Sequence, residues 1–483
     1  MSKISEIKIS SELNSYDISK SNWFGRFAEQ KTFKLALLFY SPEGCDISMP
    51  LASISAYIKE MSDSVEVKLF PVYDNKDNDI SHNIETFTSQ LFDWKPDLIA
   101  ISLMSPHWYP MDEYLLSFKI KQNSIPILIG GYQATMAPDQ TMKHSAVDFI
   151  CTGDGEYPTF DLIQFLRGYQ KEPVFGLWEK LSDNSIYKTK PLQIENFCDL
   201  PFPDYTIFDH KGQFSNLNVA MTGTHDKLIF PVMTGRGCPY KCTYCCNTPL
   251  LLDWESKKTF LRKYNPEKLV EELCRLRDLY GIEYFEFWDE LFMSNLKFVK
   301  HFLAIYKEKV KLPFSINSRV EVMSESFCKL VADAGCHTIW FGIESGDEQY
   351  RTQTLGRKMT NEKIILAAEN CKKVGIQRLT FNIVGMPFET KEQMLSTLAL
   401  NKLIAPEFFF FFTYIPLRGT PLYNSAKEAG LLISDDDKIT QQHYLATKDG
   451  VFLTNIHSEV SGDDFNDVCQ QMGAFQRENN RLS

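Results

Sequence analysis

The feature that restricts the fold most is an alternation of short apolar runs with amphipathic stretches of helical length, which occurs twice along the chain. In the first alternation the apolar runs lie at residues 34–40, 65–70, 97–104, 125–131 and 147–153. Strict strand–helix alternation predicts a parallel sheet with helices on both faces. Five such strands are typical of a doubly wound, Rossmann-like domain of the flavodoxin type, which binds ligands beyond the carboxyl ends of its strands.

The second alternation contains six predicted strands, at residues 228–235, 282–289, 313–320, 338–344, 378–385 and 408–416. Six β/α units predict a partial (β/α)6 barrel of the TIM type, whose chemistry belongs to the loops after the strands. The whole chain is therefore predicted to be α/β. Its predicted parts are an N-terminal extension (1–32), the Rossmann-like domain (33–170), a linker (171–227), the partial barrel (228–430) and a polar, partly helical tail (431–483).

Composition and net charge restrict the binding partners and the cellular compartment that can be expected. The net charge is −11, so the surface repels a phosphate backbone and no nucleic acid is expected as partner. The N-terminus is polar and lacks the apolar core of a signal peptide. The most apolar segment, residues 407–418, is shorter than the roughly 20 residues needed to span a bilayer, so no membrane is expected as partner either. We expect a cytoplasmic protein whose twelve cysteines stay reduced, which favours metal binding over disulfides.

Three cysteines follow the first strand of the predicted barrel. Cys238, Cys242 and Cys245 have a Cys-x3-Cys-x2-Cys spacing. Three thiolates on one loop can hold three irons of a 4Fe–4S cubane and leave the fourth iron open for a ligand. The alternative is a structural zinc site, but zinc needs a fourth ligand and no second cysteine or histidine pair supplies it. We predict that the neighbouring Cys246 is not a ligand.

The cysteine loop and the strand ends resemble the radical S-adenosylmethionine (SAM) superfamily. An aromatic residue precedes the third cysteine, an acidic pair ends the second barrel strand, and a Gly-Met-Pro turn follows the fifth. The resemblance implies that the open iron binds SAM, which is cleaved reductively to a 5′-deoxyadenosyl radical. It implies SAM contacts at Tyr244, Asp289, Glu290, Asn317, Arg319, Gly342, Glu344, Ser345 and Val384. Glu344 has a second interpretation, as a barrel-end carboxylate paired with Arg319.

The first domain resembles the cobalamin-binding domain that precedes the barrel in one branch of this superfamily. Polar and glycine-rich segments end its third, fourth and fifth strands, and we expect the paired glycines to let a bulky ligand approach the backbone. The resemblance implies cobalamin contacts at Ser41, Ser102, Leu103, Ser105, Gly130, Gly131, Tyr132, Gln133, Gly153, Asp154 and Glu156. The alternatives are a domain that has lost its cofactor or one that binds a nucleotide, although residues 41–44 lack the Gly-x-Gly-x-x-Gly pattern of dinucleotide sites.

The loop at residues 39–50 contains no histidine. Cobalamin mutases ligate cobalt from below with a histidine in this loop, so we expect a cobalt without a histidine ligand here. The nearest histidine, His107, is interpreted as a contact or an ordinary loop residue.

The resemblance as a whole implies a cobalamin-dependent radical SAM methyltransferase. The expected substrate is an unactivated carbon, or a phosphorus, of a small molecule or peptide in natural-product biosynthesis. The expected electron donor is a protein such as flavodoxin or ferredoxin. Three alternatives stay open: a cyclase or oxidative rearrangement enzyme with the same cofactors, a methylthiotransferase, and a non-catalytic sensor. A methylthiotransferase is less favoured because the first domain lacks a second three-cysteine cluster.

Overall fold

The computed structural model describes residues 16–41, 47–73, 79–172, 175–208, 227–253, 260–433, 456 and 460–480. They form two compact units. The first unit is built from residues up to 40 together with 50–103 and 113–193, and the second from 41–49, 104–112 and the residues from 194 onward. No helix in the described part of the chain is long and apolar enough to cross a membrane.

The first unit contains one mainly parallel sheet, in the strand order β2-β1-β3-β4-β5-β6-β7. The first five strands are parallel and follow the order 2-1-3-4-5 of flavodoxin-like folds, which confirms the predicted doubly wound fold. The carboxyl ends of β1 and β3 lie side by side where the strand order reverses. The strands are β1 Phe33–Tyr40, β2 Val65–Val72, β3 Leu98–Ser102, β4 Ile127–Gly130, β5 Phe149–Cys151, β6 Leu177–Lys180 and β7 Ile186–Tyr187.

The last two of these strands come from the stretch interpreted as a linker, residues 171–227. β6 pairs antiparallel with β5, and β7 pairs antiparallel with β6. Glu179 on β6 is fully buried and accepts hydrogen bonds from Tyr16 Oη at 2.6 Å and Ser21 Oγ at 2.5 Å. Trp23 is also buried, so the described part of the predicted N-terminal extension packs on this unit rather than loosely around it.

The second unit contains a curled, all-parallel sheet in the order β8-β11-β12-β13-β14-β15. Successive strands are neighbours, as in a TIM-type barrel that stops before closing, which confirms the predicted partial barrel. A short antiparallel pair, β9 with β10, flanks the cysteine loop. The strands are β8 Ile229–Val232, β9 Gly235–Arg236, β10 Arg262–Lys263, β11 Tyr284–Phe287, β12 Phe314–Ser318, β13 Cys336–Glu344, β14 Gln377–Val384 and β15 Phe408–Thr413.

The helices alternate with these strands and begin at recognisable capping residues. Asn265, Ser324 and Thr390, for example, each accept a hydrogen bond from a first-turn backbone N–H. In chain order the described helices are α1 Met49–Met61, α2 Ile80–Asp93, α3 Trp108–Lys121, α4 Gly131–Met136, α5 Pro138–Lys143, α6 Glu156–Leu166, α7 Asn247–Asp253, α8 Pro266–Tyr280, α9 Leu296–Lys309, α10 Glu325–Asp333, α11 Glu348–Gln353, α12 Asn361–Lys373, α13 Lys391–Ile404, α14 Pro421–Glu428 and α15 Gly462–Asn479.

The two faces of the half-barrel differ. The outer face packs on helices: the ring of Phe287 lies 5.6 Å from that of Phe302 on α9, and Asn401 on α13 donates to Asn382 Oδ1 at 2.9 Å. Side chains at alternate positions, such as Trp340 and Phe381, point to the opposite, inner face. The strand ends of this inner face carry most of the predicted SAM contacts.

The last described helix, α15, belongs to the core of the second unit. Its residues Phe465, Val468 and Met472 are buried against Phe409 and Phe411 of β15. The tail predicted as polar therefore includes an amphipathic helix that covers the outer face of the sheet.

Candidate functional site

The cysteine loop begins directly after β9 at the carboxyl edge of the half-barrel. Gly237 has φ 100°, and a β-carbon there would overlap the carbonyl oxygen of Phe260, so only glycine fits this turn. Cys242 is buried, whereas Cys238 and Cys245 are partly exposed. No three His, Cys, Asp or Glu side chains among the described residues form a group that could hold a single metal ion.

Two guanidinium groups contact the sulfur of Cys242. Arg319 Nη1 lies 3.1 Å from Cys242 Sγ, and Arg357 Nη1 lies 3.8 Å from it. Arg319 also lies 3.8 Å above the ring of Tyr240 and forms an ion pair with Glu321 at 2.6 Å. The two guanidinium groups therefore place positive charge beside one sulfur of the cysteine loop.

The acidic pair after β11 fixes the start of the cysteine loop. Asp289, which is 1% exposed, accepts from the backbone N–H of Thr234 at 2.9 Å and from its hydroxyl. Lys263 Nζ lies 2.6 Å from Asp289 Oδ1. Glu290 accepts from the backbone N–H of Gly237 at 3.2 Å, and burial raises the pKa of this carboxyl. The contacts of these two carboxylates with SAM stay a prediction.

Glu344 ends β13 in a left-handed conformation, with φ 66°. A β-carbon on Gly342 would overlap the Glu344 carboxylate, so the glycine makes room for it. Glu344 forms its ion pair with Arg357, at 3.6 Å, and not with Arg319 as one interpretation of the sequence proposed. Arg357 also donates to Tyr244 Oη at 3.1 Å and to the carbonyl oxygen of Gly342.

The remaining predicted SAM residues differ in their surroundings. Asn317 is partly exposed near the end of β12, beside Trp340 on β13. Ser345 is fully buried, and within the described residues its hydroxyl has no hydrogen-bond partner. Val384 packs its side chain into the hydrophobic cluster under α15, while its carbonyl oxygen accepts from Tyr414 N at 2.9 Å. Only the backbone of Val384 is thus near the strand edge.

The glycines of the first unit have a role that the sequence analysis did not assign to them. Gly131 has φ 82°, and a β-carbon there would lie 2.6 Å from the carbonyl oxygen of Leu103. That oxygen accepts from the backbone N–H of Gln133 at 3.0 Å, so the ends of β3 and β4 pack backbone against backbone. Gly153 has φ 85° and approaches Leu192 in the same way. These two glycines are required by the fold itself, whatever ligand binds.

Several polar residues predicted to contact cobalamin have partners inside the protein. Glu156 is buried and accepts from Ser53 Oγ at 2.7 Å. Gln133 is buried and lies 3.4 Å from Thr141 Oγ1. Asp154 is also buried, and its backbone N–H donates to Leu192 O at 3.0 Å.

The other predicted cobalamin residues lie at strand ends or in the loops that follow. Ser102, Gly130 and Tyr132 are partly exposed at the carboxyl edge, next to strands that are otherwise buried. In the second unit, Ser41 is fully buried and Ser105 is partly exposed. Burial lowers the pKa of His107 to about 4. Of the histidine-free loop, residues 42–46 lie outside the described residues.

Comparisons with known proteins identify both units. The family model of the B12 binding domain matches residues 40–163, and that of the Radical SAM superfamily matches residues 232–400. The chain carries the two domains of the cobalamin-dependent radical SAM enzymes. An uncharacterized methyltransferase from Pyrococcus horikoshii is 29% identical to this enzyme over 350 residues, which are 70% of this chain and 71% of the relative.

Two further proteins are similar to this enzyme. The anaerobic magnesium-protoporphyrin IX monomethyl ester cyclase of Cereibacter sphaeroides is 24% identical over 367 residues, covering 72% of this chain and 56% of the cyclase. The structure of the radical SAM methyltransferase TsrM from Kitasatospora setae, with tryptophan substrate and a SAM analogue bound, superposes with a TM-score of 0.67 at 15% identity. It covers 91% of this chain and 88% of TsrM, which shows that the folds agree.

The cofactors of this family are a 4Fe–4S cluster, SAM and cobalamin, and the residues present fit all three. For the cluster, the cysteine loop offers three thiols and places two guanidinium groups beside one of them. Burial raises the pKa of Cys238 to about 11, so this thiol is neutral in the free protein and releases its proton when metal binds. For cobalamin, Ser102 and Gly130 are partly exposed at the carboxyl edge of the first sheet, and Ser102 ends β3 at the topological switch point.

Two residues of the site were missed by the sequence analysis. Arg357 contacts the cysteine loop and the end of β13, although it belongs to a loop more than a hundred residues after Cys242. Lys263 neutralises Asp289 from β10. Neither residue belongs to a recognised motif. The sequence shows Arg357 only as a basic residue after a glycine, and Lys263 only as one basic residue among several before α8. A buried arginine cannot be distinguished from an exposed one by its letter alone.

Proposed function

We propose that this enzyme transfers a methyl group to an unactivated carbon of a small-molecule or peptide substrate. The observation that carries the proposal is the convergence of Tyr244, Glu344 and Arg357 beside the buried Cys242 at the carboxyl edge of the half-barrel. Two of the similar proteins are named methyltransferases, which supports the same reaction class. When bound, the cluster with SAM supplies a radical that removes a carbon-bound hydrogen, and cobalamin supplies the methyl group.

The residues of the chain position these groups. Cys238, Cys242 and Cys245 would hold the cluster, while Arg319 and Arg357 offset the negative charge of the Cys242 thiolate. Ion pairing with Arg357 fixes the carboxylate of Glu344, so that this acceptor stands ready for a cationic amino group such as that of SAM. Such preorganisation lowers the cost of ordering the reactants.

Methyl-labelled SAM would test the reaction. With substrate present, label should reach the product, and 5′-deoxyadenosine and S-adenosylhomocysteine should form in comparable amounts. Cys242→Ala should abolish 5′-deoxyadenosine, whereas the matched variant Cys246→Ala should retain it together with a full complement of iron. A product that forms without label would contradict methyl transfer and leave the cofactors in place.

The second candidate is a cyclase or another oxidative rearrangement with the same cofactors. Similarity to the magnesium-protoporphyrin ester cyclase favours it. In this case the labelled-SAM experiment should yield 5′-deoxyadenosine with little S-adenosylhomocysteine, so one assay separates the two candidates.

We further propose that cobalamin binds the first unit with no histidine below the cobalt, and that a flavodoxin- or ferredoxin-like protein supplies electrons. The cobalt ligand is inferred from the absence of histidine in residues 39–50, and the electron donor from the need for an electron in the reductive cleavage of SAM. Electron paramagnetic resonance of the cobalt(II) form should show no superhyperfine splitting from a histidine nitrogen. A triplet that changes to a doublet when the protein is labelled with nitrogen-15 histidine would mean that a histidine ligates the cobalt, whereas an unchanged triplet comes from the nucleotide base of cobalamin.

A further inference from the structure

The inner face of the half-barrel carries a set of aromatic side chains that the proposed function does not use. We call Trp288, Trp340, Phe381, Phe410 and Phe412 the aromatic wall. Phe381 is the centre of the wall: its ring centroid lies 6.3 Å from that of Trp340, 6.4 Å from that of Phe410 and 6.1 Å from that of Phe412. Trp288 packs in the same cluster.

All side chains of the aromatic wall except Trp340 keep some solvent exposure, whereas neighbouring positions do not. On β15, Phe409 and Phe411 face outward and are buried under α15, whereas Phe410 and Phe412 face inward and stay partly exposed. Phe381 on β14 and Trp288 are partly exposed as well. Large aromatic side chains that stay exposed to solvent on a concave face of a protein indicate a site where a ligand binds and covers them.

Two buried polar atoms next to the aromatic wall have no partner within the described residues. Glu286 shares the inner face with Trp288, because the two are separated by one position. It is 6% exposed, and its Oε2 accepts from Trp288 Nε1 at 3.0 Å, but Oε1 accepts no hydrogen bond. Trp340 is 4% exposed and its Nε1 donates none. Buried polar groups are almost always paired, so an unpaired acceptor and donor beside one surface indicate a missing partner.

We propose that the aromatic wall, with Glu286 Oε1 and Trp340 Nε1, is the substrate pocket and that the substrate carries a planar ring with an N–H or O–H donor. Stacking on the aromatic side chains holds the ring. Glu286 accepts from the donor of the ring, and Trp340 donates to an acceptor on it. The proposal rests on the proposed function, since it names the substrate class of the same enzyme. The pocket belongs to the same half-barrel whose carboxyl edge carries the cysteine loop and Glu344.

Two probes of nearly identical shape test this pocket. Quinolin-2-one has an N–H donor next to its carbonyl acceptor, and coumarin has a ring oxygen in place of that N–H. Dissociation constants are measured by calorimetry or ligand-observed NMR on the full chain loaded with cluster and cobalamin, without SAM and at alkaline pH, where the Glu286 carboxyl is ionised and acts only as an acceptor. We expect quinolin-2-one to bind about tenfold more tightly than coumarin, because only it satisfies Glu286.

Variants assign the effect to the pocket. Glu286→Leu should remove the preference for quinolin-2-one, and Phe410→Leu or Phe412→Leu should weaken both probes. Phe409→Leu is the matched control on the same strand: it should lower the melting temperature and leave both dissociation constants unchanged. Phe412, like Phe410, is partly exposed, so we expect its replacement by leucine to leave the fold intact. A loss of affinity in Phe412→Leu then comes from the pocket and not from misfolding.

The outcomes separate this inference from the proposed function. Three results would overturn the pocket, even if labelled methyl reaches a product. They are equal affinity for the two probes, binding of neither probe, and the same loss of affinity in Phe409→Leu as in Phe410→Leu. A tenfold preference that disappears in Glu286→Leu supports the pocket, even if the labelled-SAM experiment excludes methyl transfer.

Discussion

Replacing Arg357 by methionine tests the buried ion pair around which the site is built. Arg357 is 4% exposed and Glu344 is 8% exposed, so removing the guanidinium leaves a buried carboxylate without its cation. Loss of one partner of a buried pair costs about 3–5 kcal/mol. Tyr244 and Gly342 would lose a donor at the same time. We therefore expect Arg357→Met to lower the free energy of unfolding of the second unit by about 3–5 kcal/mol.

Urea unfolding of the anaerobic protein measures this loss. The matched control is Arg275→Met, because Arg275 forms an ion pair with Glu272 while its own side chain is half exposed. Exposed pairs are worth about 0–1 kcal/mol. The double variant Arg357→Met/Glu344→Gln removes the isolated charge as well and should recover part of the loss, since neighbouring substitutions are not additive.

Two results would refute the reasoning. The first is a loss below about 1 kcal/mol for Arg357→Met, in the range of an exposed pair. The second is a double variant that is no more stable than Arg357→Met alone. Either would mean that Glu344 does not depend on Arg357 in the folded protein.

Three further predictions concern stability. Burial raises the pKa of Glu286 to about 7 from 4.5, so between these pH values the folded state retains a proton that the unfolded state releases. The free energy of unfolding should therefore fall by about 3 kcal/mol as the pH rises through this interval. In urea unfolding of Glu286→Gln, the free energy of unfolding should not show this fall. A β-carbon at Gly385 would lie 2.6 Å from the ring of Phe465, so Gly385→Ala should lower the melting temperature, and Phe465→Leu in the same chain should restore part of it. Gly131→Ala would place a β-carbon 2.6 Å from a backbone oxygen and should destabilise the first unit by about 1–3 kcal/mol, whereas Gly130→Ala, with its nearest neighbour at 3.8 Å, should cost less.

The fold could be predicted from the sequence where its signal was periodic. The alternation of apolar runs predicted both sheets and the fold class of each unit, and the structure supplies the strand order. The pair β6 and β7 was missed because strands of four and two residues are too short to show a period. Arg357 was missed because its pairing with Glu344 depends on a loop that returns to the sheet, which no local pattern records. Arg319 was the candidate partner because it directly follows β12, but in the structure it forms its ion pair with Glu321.

Asp289 illustrates how a motif residue can act through the backbone, and this leads to a last prediction. Its carboxylate holds Thr234, which precedes the cysteine loop, and it neutralises Lys263, whose side chain is only 10% exposed. Asp289→Asn would remove the carboxylate in direct contact with that buried ammonium and leave only the more distant Glu290 to offset its charge, at a cost of up to about 3–5 kcal/mol, and it would release the start of the loop. We therefore expect Asp289→Asn to lose most of its reconstituted iron, and Glu290→Gln to retain it because an amide oxygen still accepts from Gly237. Iron analysis of the two variants measures the difference. A full complement of iron in both variants would show that the cysteine loop is held without Asp289.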